Sequence, residues 1–347
     1  MKPGLLTPSR SYKPIRYPIA LEAWRRQQQI HWLGEEVPLG EDVKNWSRDL
    51  SGPEKAFLTH VFRFFTQSDV EVGNCYMTKY AKVFQPNEVR MMLAAFANTE
   101  TIHIAAYALL LETLGLPDDE FSAFLEIPSM MAKVHYMDTF GVKSHDDILR
   151  TTAMFGGATE GLSLYSMFAM LMNFPKQGRM KGMGQIVSWS VRDESLHAES
   201  IIWLHNTLAR EMGGRPPAVT DDIVEVFQNQ VRLEDAFIDT AFEVGDVPGI
   251  SAPELKAYVR FVANWRLRQL RIGDVFDAPA TNPLPWLQAM LSGVEHQNFF
   301  EGRATEYSKA ATSGRWDGPG GVWDSFAAHP RNRPTTYDPK TGSWVNG

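Results

Sequence analysis

The chain has 347 residues, 44% hydrophobic and 22% charged, an ordinary balance for a globular protein able to bury one large core or two modest ones. A formal net charge of −7 removes any electrostatic reason to expect nucleic-acid binding, and no apolar run approaches the roughly 20 residues of a membrane span. A single cysteine, Cys75, excludes an intrachain disulfide and suits a reducing cytoplasm.

The basic, proline-broken start "MKPGLLTPSRSYKPIRYPIA" has no apolar stretch long enough for a signal peptide and reads as an extended arm over residues 1–20. Helical patterning begins near Pro18. "LSGPEKAFLTHVFRFFTQSDVEVGNCYMTKYAKVF" opens with Ser51 as N-cap and Pro53 in the first turn. "QPNEVRMMLAAFANTETIHIAAYALLLETLG" runs from a proline to Gly115 as C-cap. "SHDDILRTTAMFGGATEGLSLYSMFAMLMNF" is predicted to stop before Pro175, and "MGQIVSWSVRDESLHAESIIWLHNTLAREMGG" ends at paired glycines. These four helices are each about 30 residues, against a usual ~11–12.

Shorter helices are expected at about 220–244 and 252–272. No alternating hydrophobic segments bounded by hairpin turns occur, so no sheet is expected, and no internal repeat suggests a solenoid. After about Tyr307 the composition turns to Gly, Pro and polar residues, predicting a flexible tail. The domain plan is an arm (1–20), an all-α helical domain (21–300) and a C-terminal tail (301–347).

Two apolar helices carry the same interruption. Glu100 and His103 form one Glu-x-x-His, Glu194 and His197 a second, and Tyr107 follows His103 by one further turn on the same ridge. A single Glu-x-x-His is weak evidence, since a lone buried histidine is usually only hydrogen-bonded. Two copies with partners are not. Asp69 lies 31 residues before Glu100, and Glu160 lies 34 before Glu194, each separation enough for one helix to end and the next to return antiparallel. Each half thus offers one lone carboxylate and one Glu-x-x-His, the ligand set of dinuclear sites in four-helix bundles. Four carboxylates and two imidazoles suit Fe or Mn, and their charge balances two divalent cations. Without metal, four buried carboxylates would repel and be severely desolvated. The bland alternatives are exposed helix acids and, for Tyr107, an ordinary core tyrosine. The apolar flanks of Asp69, Glu100 and Glu160 count against the first.

At these residues the sequence resembles the small, radical-generating subunit of class I ribonucleotide reductase. The resemblance runs from about Tyr17 to Tyr307 through "IHWLGEEV", Asp69, "TETIHIAAY", "TEGLSLYSMF", "VRDESLHAES" and "NFFEGRATEY". It implies a ferritin-like helical bundle with two metal ions per chain, Fe and/or Mn. Asp69, Glu100 and His103 would bind one ion and Glu160, Glu194 and His197 the other, some carboxylates bridging. Tyr107 matches the radical-bearing tyrosine. Trp32 matches the tryptophan that relays an electron to the site through Asp193, hydrogen-bonded to His103. Tyr307 matches the tyrosine that continues the path, with Glu301 a candidate for managing its proton.

Where bulky apolar residues usually surround the radical tyrosine, the aligned positions read Leu164, Phe168 and Ser190. That departure leaves two locations for the oxidising equivalent, Tyr107 or the metals. Asp69 in place of Glu weakens a mixed Mn/Fe reading, and intact carboxylates speak against a metal-free one. "GVWDSF" has the character of a docking motif, yet 21 residues follow it (327–347), so either Trp323–Phe326 or the extension would dock the large subunit.

The resemblance further implies a cytoplasmic homodimer that reacts with O2 and is active in ribonucleoside diphosphate reduction only with its large catalytic subunit. No nucleic acid, membrane or nucleotide substrate is expected, and no glycine-rich phosphate loop is present. The rivals are a stand-alone diiron oxidase or oxygenase of the same fold, which needs neither Trp32 nor a tail, and a ferritin-like metal store, which predicts a cage. An inactive paralogue is disfavoured because all six ligands and the tyrosine are present.

Overall fold

The structure, a computed structural model, describes residues 4–291 and two short strands, 335–338 and 343–346. The chain divides into two compact units, residues 1–291 and 292–347. The first is helical throughout its regular structure, as its sequence predicts.

Helix α1 (Pro18–Gln29) follows the arm, which is fastened along its length. Leu5 is fully buried, its N–H donates to Glu211 at 2.8 Å, and the N–H groups of Arg16 and Tyr17 both donate to Glu88 at 2.7 and 2.8 Å. Helix α2 (Gly52–Cys75) starts where Ser51 and Glu54 exchange hydrogen bonds in a capping box and continues into a wider π-helical turn, Tyr76–Tyr80. Helix α3 (Asn87–Leu114) ends on Gly115, which adopts φ 78°, a left-handed cap that favours glycine.

Helix α4 (Pro128–Asp138) was not expected from the sequence. Helix α5 (His145–Thr152), capped by Ser144, passes into a π-helical segment (Ala153–Ser163) and then α6 (Leu164–Lys176). Residues 151–174 are buried without exception, marking this as the central rod. It runs past Pro175, because the proline occupies only the last turn and its ring lies over Gly184, where a Cβ would come within 2.4 Å.

Helix α7 (Lys181–Glu211) lacks a local cap. Its first N–H groups, from Gly182 and Met183, are instead accepted by the buried Asp42 carboxylate at 2.9 and 2.8 Å. Helix α8 (Pro217–Phe242) begins about three residues earlier than expected, because Pro217 sits comfortably in its first turn, and ends about two residues earlier. Helix α9 (Ala252–Gln269) follows, and residues 285–291 are again helical. Helices α2, α3, α6 and α7 and the π segment pack into the bundle that surrounds the site, with α8 and α9 behind the central rod.

In the second unit, strands β1 (Thr335–Asp338) and β2 (Ser343–Asn346) pair antiparallel, pairing Thr335 with Asn346. This corrects the expectation of no sheet. Four-residue strands are too short to display an alternating pattern. The remainder of the expected tail, with Glu301, Tyr307 and Trp323–Phe326, lies outside the described residues. Among the described residues no helix is long and apolar enough to cross a membrane.

Candidate metal centre

The six expected ligands come from four helical segments. Asp69 projects from α2, Glu100 and His103 from α3, Glu160 from the π segment, and Glu194 and His197 from α7. All are at most 1% exposed. They assemble into two groups: Asp69, Glu100, His103 and Glu194 in one, and Glu100, Glu160, Glu194 and His197 in the other. Within each group, one ligand atom per residue lies within 4.8 Å of the rest. Glu100 and Glu194 belong to both, so they are the carboxylates placed to bridge.

A pair of metal ions fits these residues. Each of the six carries a buried polar atom without a hydrogen-bond partner: Asp69 Oδ2, both oxygens of Glu100 and Glu194, Glu160 Oε2, and Nδ1 of His103 and His197. Eight converging orphan atoms are costly unless a cation satisfies them. The imidazoles show how they are aimed. His103 Nδ1 lies 3.1 Å from Glu194 and 3.6 Å from Glu100. His197 Nδ1 lies 3.0 Å from Glu100 and 3.5 Å from both Glu160 and Glu194.

The outward nitrogens are held differently. His103 Nε2 meets Asp193 at 3.2 Å, whereas His197 Nε2 meets the amide oxygen of Gln27 at 3.2 Å. Each contact holds a proton on Nε2, so Nδ1 is the nitrogen turned toward the carboxylates and, once deprotonated, the one that would bind a metal. Asp193 also accepts the Trp32 indole N–H at 2.7 Å, and the Trp32 ring centroid lies 5.8 Å from that of His103. The structure thus joins the three residues the resemblance links, Trp32, Asp193 and His103. Gln27 gave no sequence signal, being one polar residue on the buried face of α1.

Burial and charge crowding govern the protons. Burial, then the Glu100 carboxylate, raises Asp69 well above the usual carboxylate range. Burial raises Glu160 to about 7. Burial works the same way on Glu194, but the facing imidazoles of His103 and His197, 3.1 and 3.5 Å away, outweigh it and bring the group to about 2. For the two histidines burial opposes the charged form, yet Asp193, Glu100 and Glu194 around His103, and Glu100, Glu160 and Glu194 around His197, push both upward.

Two tyrosines border the ligands. Tyr107 is 3% exposed, with its ring centroid 6.3 Å from His103 and 4.4 Å from Phe65, which in turn packs on Phe168 at 5.5 Å. Its hydroxyl donates to Ser190 Oγ at 2.5 Å rather than to a carboxylate. Leu164, Phe168 and Ser190 are all buried. Tyr76 escaped the sequence reading. It stands seven residues after Asp69, as Tyr107 stands seven after Glu100, and that repeated spacing was the available signal. Its hydroxyl donates to Glu160 Oε1 at 2.6 Å, and its ring meets His197 edge-on at 6.0 Å. Burial, then the neighbouring Glu160 charge, raises Tyr76 far above the ordinary phenol range, so it is a neutral donor.

A helical bundle that converges four carboxylates and two imidazoles on two adjoining positions defines the class of dinuclear carboxylate proteins. Comparison with known sequences narrows the class. The chain belongs to the family described as ribonucleotide reductase, small chain, whose sequence profile matches residues 9–283. It is 37% identical over 351 residues to the protein designated probable ribonucleoside-diphosphate reductase small subunit in Invertebrate iridescent virus 6, covering 90% of this chain and 98% of that one. It is 29% identical to the ribonucleoside-diphosphate reductase subunit beta of Chlamydia pneumoniae, over 86% of this chain and 89% of that one.

Among solved structures, the ribonucleotide reductase R2 subunit of Clostridium botulinum superposes with a TM-score of 0.73 at 19% identity, over 82% of this chain and 91% of that one. Streptococcus sanguinis dimanganese(II)-NrdF gives 0.67 at 18% identity, over 82% of this chain and 99% of that one. At those identities the likeness concerns the fold. Membership as a small subunit implies a large-subunit partner.

Proposed function

We propose that this chain generates and stores the one-electron oxidant of a ribonucleoside-diphosphate reductase and passes it to a large subunit that reduces ribonucleotides to deoxyribonucleotides. The observation that carries this reading is the convergence of six ligand residues, each with an orphaned atom, beside the Trp32–Asp193–His103 chain. Bound there, two Fe ions, two Mn ions or one of each would supply reaction with O2 and oxidising power.

The protein's own groups do the rest. Asp69, Glu100 and His103 would hold one ion and Glu160, Glu194 and His197 the other, Glu100 and Glu194 lying within reach of both groups. Asp193 and Gln27 fix the two imidazole tautomers. Phe65, Phe168 and Leu164 exclude water from Tyr107, the tyrosine placed to store the oxidising equivalent when the metals do not. Trp32 carries the electron between the site and the surface. The chain works as a cytoplasmic homodimer, with Tyr307, Glu301 and the C-terminal tail, from Trp323–Phe326 or the extension beyond it, continuing the path and docking the large subunit.

The test is electron paramagnetic resonance on apo-protein loaded aerobically with Fe(II), with Mn(II), or with both. A tyrosyl signal lost in Tyr107→Phe places the hole on that residue, and a metal-centred signal that persists places it on the metals. No oxidised, spin-bearing state in any sample would overturn the reading. With the large subunit added, deleting residues 301–347 should abolish deoxyribonucleotide formation, whereas a stand-alone oxidase would lose nothing.

A further inference from the structure

We propose that Tyr76 is a second redox-active tyrosine of the centre, on the Glu160–His197 side, and that its phenolic proton passes to Glu160 when the ring is oxidised. The inference rests on the metal-centre reading above.

Oxidising a buried phenol to a neutral radical requires an acceptor for its proton, since a phenol cation is too costly in a site this buried. Tyr107 has a poor one. Its hydroxyl donates to Ser190 Oγ, and that hydroxyl already donates to the Ile186 carbonyl at 3.1 Å. A serine hydroxyl is no base. Tyr76 instead donates directly to a carboxylate oxygen, Glu160 Oε1, at 2.6 Å, within the range of short charge-assisted bonds. The other oxygen, Glu160 Oε2, is buried without a partner and remains available to ligate. One carboxylate can therefore hold a metal through one oxygen and take a proton on the other.

The position repeats that of Tyr107. Each tyrosine stands seven residues beyond a ligand on its helix, Asp69 or Glu100. Each ring lies about two turns along and close to one imidazole, 6.0 Å from His197 for Tyr76 and 6.3 Å from His103 for Tyr107. Tyr76 is also enclosed: it is 1% exposed and packs edge-on against Phe96 at 5.9 Å and Tyr80 at 5.6 Å.

The step balances. With a metal pair bound and oxidised, Tyr76 would give it one electron. The phenolic O–H bond breaks and an O–H bond forms on Glu160 Oε1, leaving a neutral radical and a neutral acid. Reversal restores both groups.

The experiment uses full-length chain labelled with ring-deuterated tyrosine, loaded aerobically with metal and read by electron paramagnetic resonance as wild type, Tyr107→Phe, Tyr76→Phe and the double variant. The expected result is a signal in Tyr107→Phe that narrows on ring deuteration and vanishes in the double variant, while Tyr76→Phe still binds two metal ions per chain. If Tyr76→Phe does not fold, Tyr107→Phe decides alone. Its signal should then couple to one exchangeable deuteron in D2O, the carboxylic proton returned toward the ring, and absence of that coupling overturns the proposal. A tyrosyl signal confined to Tyr107, or oxidised metals with no tyrosyl signal, also overturns it while leaving the proposed function standing. No oxidised state in any sample removes both.

Discussion

His205, remote from the ligands, is a residue whose charge state its neighbours dictate. The Arg215 guanidinium donates to Nε2 at 2.9 Å, so that nitrogen is bare and Nδ1 carries the proton, facing the Leu149 carbonyl at 3.1 Å and Thr152 Oγ1 at 3.0 Å. Burial, then the Arg215 charge, depresses its pKa to about 3. A histidine depressed in the fold binds fewer protons than in the unfolded chain. Stability is therefore complete above the ordinary histidine pKa, ~6.5, and falls as pH drops toward the folded value. Each pH unit in that window should cost up to about 1.4 kcal/mol. Urea unfolding of wild type and His205→Gln between pH 7 and 4 should give a shallower acid loss for the variant; parallel slopes would exclude His205 as a source. At the centre, Asp193 and Gln27 play matching parts toward the two imidazoles. Asp193→Ala and Gln27→Ala should each weaken metal binding about 10–100-fold, read by titration of free Mn(II). Asp193→Ala should lose more, because it also strands the Trp32 indole N–H, which has the Asp193 carboxylate as its partner at 2.7 Å.

Among the elements, the two that carry lone carboxylates contain π-helical turns, Tyr76–Tyr80 beyond Asp69 and Ala153–Ser163 around Glu160, whereas the Glu-x-x-His helices α3 and α7 are regular. The longer π segment is wedged between neighbours. A Cβ on Gly156 would lie 2.5 Å from Ile201 Cγ2, and the Gly161 carbonyl accepts Arg266 Nε at 2.9 Å from a fully buried guanidinium stacked 4.0 Å from Trp265. Gly156→Ala should destabilise by about 1–3 kcal/mol as an overpacked core change, measured by the denaturation midpoint. Adding Ile201→Ala should cost less than the two single changes summed; strict additivity would place the strain elsewhere.

The same elements show what a sequence discloses. The long helices were readable because their ends carry chemistry, in Ser51, Ser144, Gly115 and the Gly213–Gly214 pair, and because two Glu-x-x-His motifs interrupt apolar faces. The start of α7 was not, since its cap is Asp42, distant in sequence. The longer π segment was not, because residues 151–174 are buried on every side and a shift in helical phase then has no polar face to mark it. Ligand identities were readable; the sharing of Glu100 and Glu194, the Gln27 contact and the hydrogen bond of Tyr76 depend on the packing of separate helices.

For the molecule as a whole, the site stores a cost that metal removes. In the absence of ions, His103 and His197 serve as counter-charges to the carboxylates, and both are pushed toward the protonated form by those partners. A metal ligand must be deprotonated, so loading releases those protons and substitutes divalent cations for them. Two consequences are linked. Ions that bind the folded chain alone stabilise it by RT ln(1 + [M]/Kd), about 2.7 kcal/mol for each site when free metal is 100 times Kd. Because binding expels protons, the gain should shrink as pH falls from 8 to 6, apparent affinity rising with pH rather than falling. Calorimetric scans of metal-free and Mn(II)-loaded protein across that range should show a Tm increment that grows with pH and is abolished by chelator. In Glu100→Ala, which removes a carboxylate common to both ion positions, the increment should collapse by more than in Asp69→Ala, which serves only one. Equal losses would mean that Glu100 is not shared.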